Sequence, residues 1–224
     1  MPAEEAVDLD TTKIDRAIVL AGGELHTRPD PSWGAIVIAA DSGYDHALDL
    51  GLAVDILVGD MDSISSAGLD HARTHGVDVL HYPADKDQSD LELAILAAAA
   101  RNVQRIDVHG GEGGSLGHLL GVALELTDHR WRDIDLQWHT RGGVARPAEP
   151  GRSVIVVGSE GDTVSLVPVG DVAGVTTTGL AWPLDDEPLP AGTTRGLSNR
   201  LSSARAEVTV RSGTLLVIWE GGST

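Results

Sequence analysis

The chain has 224 residues, 42% of them hydrophobic, with neither phenylalanine nor cysteine; Val, Ile, Leu and Ala must supply the core of one large domain, or of an ordinary domain plus a small one, and disulfides and thiolate metal sites are excluded. A formal net charge of −18, from 34 acidic and 16 basic residues, repels nucleic acid and anionic membrane surfaces, so neither is expected as a partner. No apolar run approaches the roughly 20 residues that cross a bilayer, and the acidic opening MPAEEAVDLD is unlike a signal or transit peptide, which makes the cytoplasm the expected location.

In chain order, strands are predicted at 17–21 (AIVLA), 35–40 (AIVIAA), 55–59 (DILVG), 77–82 (VDVLHY), 105–110 (RIDVHG) and 133–139 (DIDLQWH). Helical stretches such as YDHALDLG, AGLDHARTHG and SDLELAILAAAARN lie between them, with Gly51 and Gly76 placed as left-handed terminators. This alternation predicts an α/β domain over residues 12–142, a mostly parallel sheet flanked by helices. The pattern changes near TRGGVARPAEPG (140–151), and no helix is predicted beyond it. SVIVVG, DTVSLVPV, GVTTTGLAW and AEVTVRSGTLLVIWE read as strands, the last as a hairpin turning at Ser212-Gly213. The result is an all-β domain over 150–224, whose roughly seventy residues need a neighbour or a second subunit to pack on.

The chemically informative residues follow strands. Gly22-Gly23 follow the first, Asp41-Ser42-Gly43 the second, Asp60-Met61-Asp62-Ser63 the third, KDQSDLELA the fourth and GGEGGSLGH the fifth. In an open parallel sheet, ligands bind beyond the carboxyl ends of the strands, although Gly and Asp are also ordinary turn formers. If residues 60–62 stay extended, Asp60 and Asp62 point the same way with Cα atoms roughly 6.6 Å apart, which suits a hard cation. The alternative is an Asx-turn with Asp62 or Ser63 capping the next helix. Ser89 and Glu92 match a capping box, with Asp90 in the first turn. That leaves Asp87 and Lys86, one of only two lysines, unexplained. Lys86 is either a phosphate-holding cation among metal-holding acids or a surface ion pair. Gly113, Gly114 and Ser115 open a helix with bare backbone amides, a candidate phosphate cradle that is not a P-loop. His118 is open to packing, capping or ligand roles. Bound cation, rather than bulk water, is the expected partner of the acidic stretch.

Together these motifs resemble the thiamine pyrophosphokinase family. ADSGYDHALDLGLAVDILVGDMDSI is similar to its ADGG…GDxDS segment, KDQSDLELA to KDxTDxExA, GGEGGSLGH to GGxGGRxDH, and GLAWPL…GTTRGLSNR to GLxWxL…G.SN. The resemblance implies an N-terminal α/β domain, a C-terminal β-sandwich and a homodimer with sites at the interface. It implies Mg²⁺-dependent transfer of a pyrophosphoryl group from ATP to thiamine, giving thiamine diphosphate and AMP. It places metal on Asp60, Asp62 and Asp90, with Lys86 beside them. Gly22, Gly23, Asp41, Asp87, Ser89, Gly113, Gly114, Ser115 and His118 fall on the nucleotide side. Trp182, Ser198 and Asn199 face thiamine from the partner subunit, unless Trp182 serves only as β-domain core. Two departures stand out, Ser115 and Gly117 where the family has arginine and aspartate, and Arg200 follows the Ser-Asn pair. They motivate a second expectation, a member that binds thiamine or its diphosphate without turnover. A phosphatase using the Asp60 DxD nucleophile fits poorly with Ile64 and the early Lys86, and a scaffold has no use for carboxylates facing one crevice.

Overall fold

The computed structural model describes residues 14–31 and 34–221. The acidic opening, and the outermost residues 12–13 and 222–224 of the two expected domains, lie outside them. Six strands form the parallel part of the sheet: β1 (Arg16–Leu20), β2 (Ile36–Ala40), β3 (Ile56–Gly59), β4 (Asp78–His81), β5 (Arg105–His109) and β6 (Asp135–His139). Their order is β4-β3-β2-β1-β5-β6, so the chain reverses direction across the sheet between β1 and β5. That reversal opens a crevice at the carboxyl ends of β1 and β5, where open α/β sheets bind ligands.

Helices cover both faces, which is why β2 and β3 and nearly all of β1 are apolar rather than alternating. On one face α3 (Asp90–Ala99) and α4 (Leu116–Glu125) bury Leu91, Leu93, Ile95 and Val122 against Val19, Ile38 and Val58. On the other, α1 (Gly43–Leu50) and α2 (Ser66–Thr74) pack Tyr44, Ala47 and Ala72 near Leu20, Val37 and Leu57. Gly51 (φ 66°) and Gly76 (φ 77°) end α1 and α2 in the left-handed conformation expected of them. Among the described residues, no helix is long and apolar enough to cross a membrane.

The C-terminal part is all β, a sandwich with its own core that includes Val154, Val164, Leu166, Leu189, Val208 and Leu215. It differs from the sequence reading in three ways. The Gly/Pro/Arg-rich stretch holds a strand, β7 (Val144–Ala148), antiparallel to both β6 and β13 (Ser212–Glu220), so one continuous sheet runs through both parts. The two strands expected at DTVSLVPV and GVTTTGLAW are one, β9 (Thr163–Thr178), because its glycines bend the ladder without ending it. The last segment is no hairpin. β12 (Arg205–Thr209) pairs with β8 (Val154–Val157) and β9, while β13 is flanked by β7 and β9 and has no edge left for β12. Gly213 (φ 84°) lies at a register shift inside β13 rather than in a turn. Two short strands, β10 (Glu187–Leu189) and β11 (Asn199–Arg200), also pair with β9.

Candidate functional site

Residues 60–62 are not extended. Met61 takes a positive φ of 64°, and the Asp62 N–H donates to Asp60 Oδ1 at 3.3 Å, an Asx-type turn. The turn itself brings the two carboxylates together. The helix cap anticipated at Asp62 or Ser63 belongs instead to Ser65, whose hydroxyl accepts from Gly68 N at 2.9 Å.

Asp41, just past β2 and buried, holds this turn from across the sheet. Its Oδ2 accepts from the Ser63 N–H and hydroxyl at 3.2 and 2.9 Å, and its Oδ1 from Ile64 N at 2.9 Å. Carboxylate oxygens of Asp41, Asp60 and Asp62 lie within 4.8 Å of one another. Crowding shows in their protonation. Hydrogen bonding to Asp41 and repulsion from Asp60 raise the Asp62 carboxyl above the usual range. Asp60 is lowered instead, because Lys86 Nζ bonds its Oδ2 at 2.9 Å.

Lys86 is the link to Asp90, whose Oδ1 lies 3.1 Å from Nζ. With its side chain only 9% exposed, Lys86 is no surface ion pair. Burial opposes its charge, but the hydrogen bond to Asp60 and the ion pair with Asp90 more than offset this, so the ammonium is held charged. Asp90 moves up: burial outweighs Lys86, and its buried Oδ1 has no well-aligned hydrogen bond. Gly59 makes the approach possible, since a Cβ there would meet Asp90 Oδ1 at 3.0 Å and Asp41 Cβ at 3.2 Å. The closest triad is therefore Asp41, Asp60 and Asp62, with Asp90 joined to it through Lys86. Carboxylates of this kind, hard and oxygen-only, suit a hard divalent cation.

Beside this cluster lies a cavity of about 480 Å³, bordered by Gly22, Gly23, Asp41, Ser89, Asp90 and His118. Ser89 caps α3 by accepting from Glu92 N at 2.9 Å, but the capping box is half made, because Glu92 bonds Arg130 at 2.7 Å. Ser115 is the N-cap of α4, accepting from His118 N at 3.2 Å. Gly113 and Gly114 carry positive φ values in the loop before it, and Gly113 backs onto Glu24. Asp87 is exposed and makes no hydrogen bond or ion pair among the described residues.

Sequence reasoning missed Glu125, at the end of α4 and on the cavity wall. Its Oε2 accepts from the Ser89 hydroxyl at 2.8 Å, while Oε1 is buried without a partner. Burial, against the pull of Ser89, pushes its carboxyl up to about 7. The available signal was a lone acid in the apolar run LGHLLGVALEL, eight residues and so about two turns from Gly117.

Trp182, Ser198 and Asn199 are not brought to the cluster within one chain. Trp182 is 61% exposed and borders, with Asn199 and Arg195, a separate groove of about 460 Å³. Exposure on that scale removes the reading of Trp182 as β-domain core. Asn199 is buried, and its amide is spent on the backbone. Oδ1 accepts from Trp182 N at 3.1 Å and Arg200 N at 2.8 Å, and Nδ2 donates to Trp182 O at 2.7 Å. It fixes the loop that presents Trp182. Ser198, exposed at φ 56°, donates its N–H to Ser165 Oγ at 3.2 Å.

Comparison with known proteins agrees with both halves. The family model described as thiamin pyrophosphokinase, catalytic domain, matches residues 31–137, and that of the thiamin pyrophosphokinase vitamin B1 binding domain matches 152–215. A thiamine pyrophosphokinase of Bacillus subtilis (strain 168) is 29% identical over 210 residues, 89% of this chain and 96% of that one. A crystal structure of the Bacillus subtilis thiamine pyrophosphokinase superposes with a TM-score of 0.80 at 25% identity, covering 92% of this chain and 99% of that one. One from Geobacillus thermodenitrificans gives 0.77 at 26% identity, covering 93% and 99%.

Proposed function

The chain belongs to the thiamine pyrophosphokinase family, and from that premise we propose that it transfers the pyrophosphoryl group of ATP to the hydroxyl of thiamine. The hydroxyl oxygen of thiamine bonds to the β-phosphorus, the bond from that phosphorus to the α,β-bridging oxygen breaks, and the hydroxyl proton passes to solvent. Thiamine diphosphate and AMP are the products. The observation that carries this reading is the convergence of Asp41, Asp60 and Asp62 within 4.8 Å at the carboxyl edge of a parallel sheet.

Asp60 and Asp62, with Asp41 or Asp90 as a further ligand, would hold Mg²⁺. Bound there, the ion would offset the charge of the triphosphate, the main requirement of phosphoryl transfer. Lys86, kept cationic between Asp60 and Asp90, is placed to meet a phosphate oxygen and hold both carboxylates in register. The Gly22–Gly23 turn leaves bare backbone beside them. Asp41 acts by fixing the 60–63 turn through three hydrogen bonds. The outward Trp182 face suits the cationic thiazolium ring.

In this reading Trp182 reaches the cavity of a second subunit. The exposed apolar stripe Leu116, Leu120 and Leu124 on α4 favours a homodimer, being 71%, 53% and 56% exposed. Binding without turnover is the second reading. Ser115 is used as a helix cap and Gly117 contributes no charge, so neither replaces the family's arginine or aspartate.

Incubation of pure protein with Mg²⁺, ATP and thiamine, with AMP and thiamine diphosphate quantified, separates the two. Turnover should fall at least about 10²- to 10³-fold in Asp60→Ala/Asp62→Ala. A wild-type AMP yield no higher than that of the double variant rejects transfer.

A further inference from the structure

Glu125 is a cavity-lining acid used by neither the Asp41–Asp60–Asp62 cluster nor the Lys86 pairs. We propose that it is a specificity-determining residue, its carboxyl receiving the exocyclic amino group of a heteroaromatic ring bound in the cavity. The inference rests on the transfer reaction above, whose two substrates both carry such a group, on adenine and on the aminopyrimidine ring of thiamine.

The carboxyl is anchored at one end and unsatisfied at the other. Oε2 is held by the Ser89 hydroxyl at 2.8 Å, whereas Oε1 is buried with no donor. A native fold rarely keeps a buried acceptor unpaired unless something else completes it. An N–H donor is the matching group, and a small turn about the broad terminal torsion of glutamate presents Oε1 to it.

Helix geometry aims the side chain inward. Cα–Cβ bonds in a helix lean toward its N-terminus, so Glu125 projects over the preceding turns, at Gly121 and Gly117. A Cβ at Gly121 would meet nothing within 4 Å, and one at Gly117 only Ser115 Oγ at 3.8 Å. Tight packing therefore does not demand these helix-weakening glycines, and their effect is to leave the cavity open along the path from Glu125. Around that path Ala21, Ala40, Leu91 and Val122 supply apolar walls, which suit the faces of a flat ring while the carboxyl reads its edge.

Electrostatics orients the ligand. Both ends carry carboxyls, but only the Lys86 end offers an ammonium and a cluster able to take a divalent cation, so the polyphosphate belongs at the Lys86 and Gly22–Gly23 end and the ring at the Glu125 end.

Initial rates with ATP against inosine triphosphate, and with thiamine against its 4-oxo analogue, identify which ring is read. The wild type should prefer the amino ring in one of the two pairs by about tenfold to a hundredfold. Glu125→Met should erase that preference by losing rate with the amino ring alone. Glu125→Gln, whose amide oxygen still accepts, should recover most of it. Loss in the nucleotide pair assigns adenine; loss in the other pair assigns the aminopyrimidine. An unchanged preference in both pairs, or an equal loss with amino and oxo rings, overturns the proposal. Glu125→Met removes the unpaired Oε1 and also the Oε2 partner of the Ser89 hydroxyl, which is exposed and can turn to water, so the cost to folding should be small, and circular dichroism checks this. Calorimetric titration of the same four ligands reads the preferences without turnover. A wild type that transfers nothing would thus sink the reaction, while the binding preferences still decide the role of Glu125.

Discussion

Asp107 on β5 and the acids beyond β2, β3 and β4 sit on one sheet, yet their charges are balanced in opposite ways. Asp107 is a single, fully buried carboxylate with Arg16 at 2.6 Å, Arg105 at 2.7 Å and His139 at 2.9 Å around it. Burial alone would raise its carboxyl, but these three partners win and hold it far below the usual range. Among the described residues, Asp41, Asp60, Asp62 and Asp90 have one cation between them, Lys86, paired with Asp60 and Asp90, and both Asp62 and Asp90 are pushed upward. A cluster with surplus cations is finished as structure. One with surplus anions leaves room for an added cation, and that difference singles out the second as the candidate site.

The largest effect expected from breaking this contrast is on the closed side. Asp107→Asn removes the charge that two part-exposed arginines share and should cost about 1.5–3 kcal/mol in urea unfolding, with transfer retained wherever the variant is folded. A milder loss, or a selective loss of turnover, would mean that the Asp107 network belongs to the chemistry. On the open side, Mg²⁺ at a hundredfold excess over its dissociation constant should raise the wild-type Tm by about 5–10 °C. Asp62→Asn should lose that rise without lowering the metal-free Tm, since it removes repulsion. A metal-free Tm well below wild type would make Asp62 structural.

The pH dependence of stability sharpens the same comparison. Glu125 titrates at about 7 when folded against 4.5 as the ordinary value, so the native state holds the extra proton between these limits. Stability of the metal-free protein should accordingly fall as pH rises from about 4.5 to 7. Glu125→Gln should flatten that fall in thermal melts across the window; an unchanged slope would assign it to other groups. The smallest effect lies outside both clusters. Trp182→Ala should raise the KM for thiamine about 2- to 30-fold. Its Tm should stay within about 1 °C of wild type, because Trp182 is 61% exposed.

Much of this contrast is legible from local pattern. KDQSDLELA announces a capped helix start with a lysine among acids, and Ser89, Lys86 and Asp90 lie as that pattern requires. Partners distant in sequence are not legible. Asp41 grips Ser63 from 22 positions away, and Ser89 meets Glu125 from 36 positions away. Nothing in either local stretch encodes the other. The same holds in the β part, where β12 and β13 look like a hairpin until β7 and β9 claim both edges of β13.

Sequence alone determined the alternation of strands and helices, the absence of thiol chemistry, and the loops that carry acids, glycines and the lysine. Apolar periodicity and turn chemistry are local properties, readable within a few residues. Tertiary structure decided which acids share a space, that Met61 turns rather than extends, that Asn199 serves the Trp182 backbone, and that Glu125 looks into the cavity. Those outcomes depend on the order of strands in the sheet and on the lean of side chains along a helix, which bring together groups that the chain keeps apart.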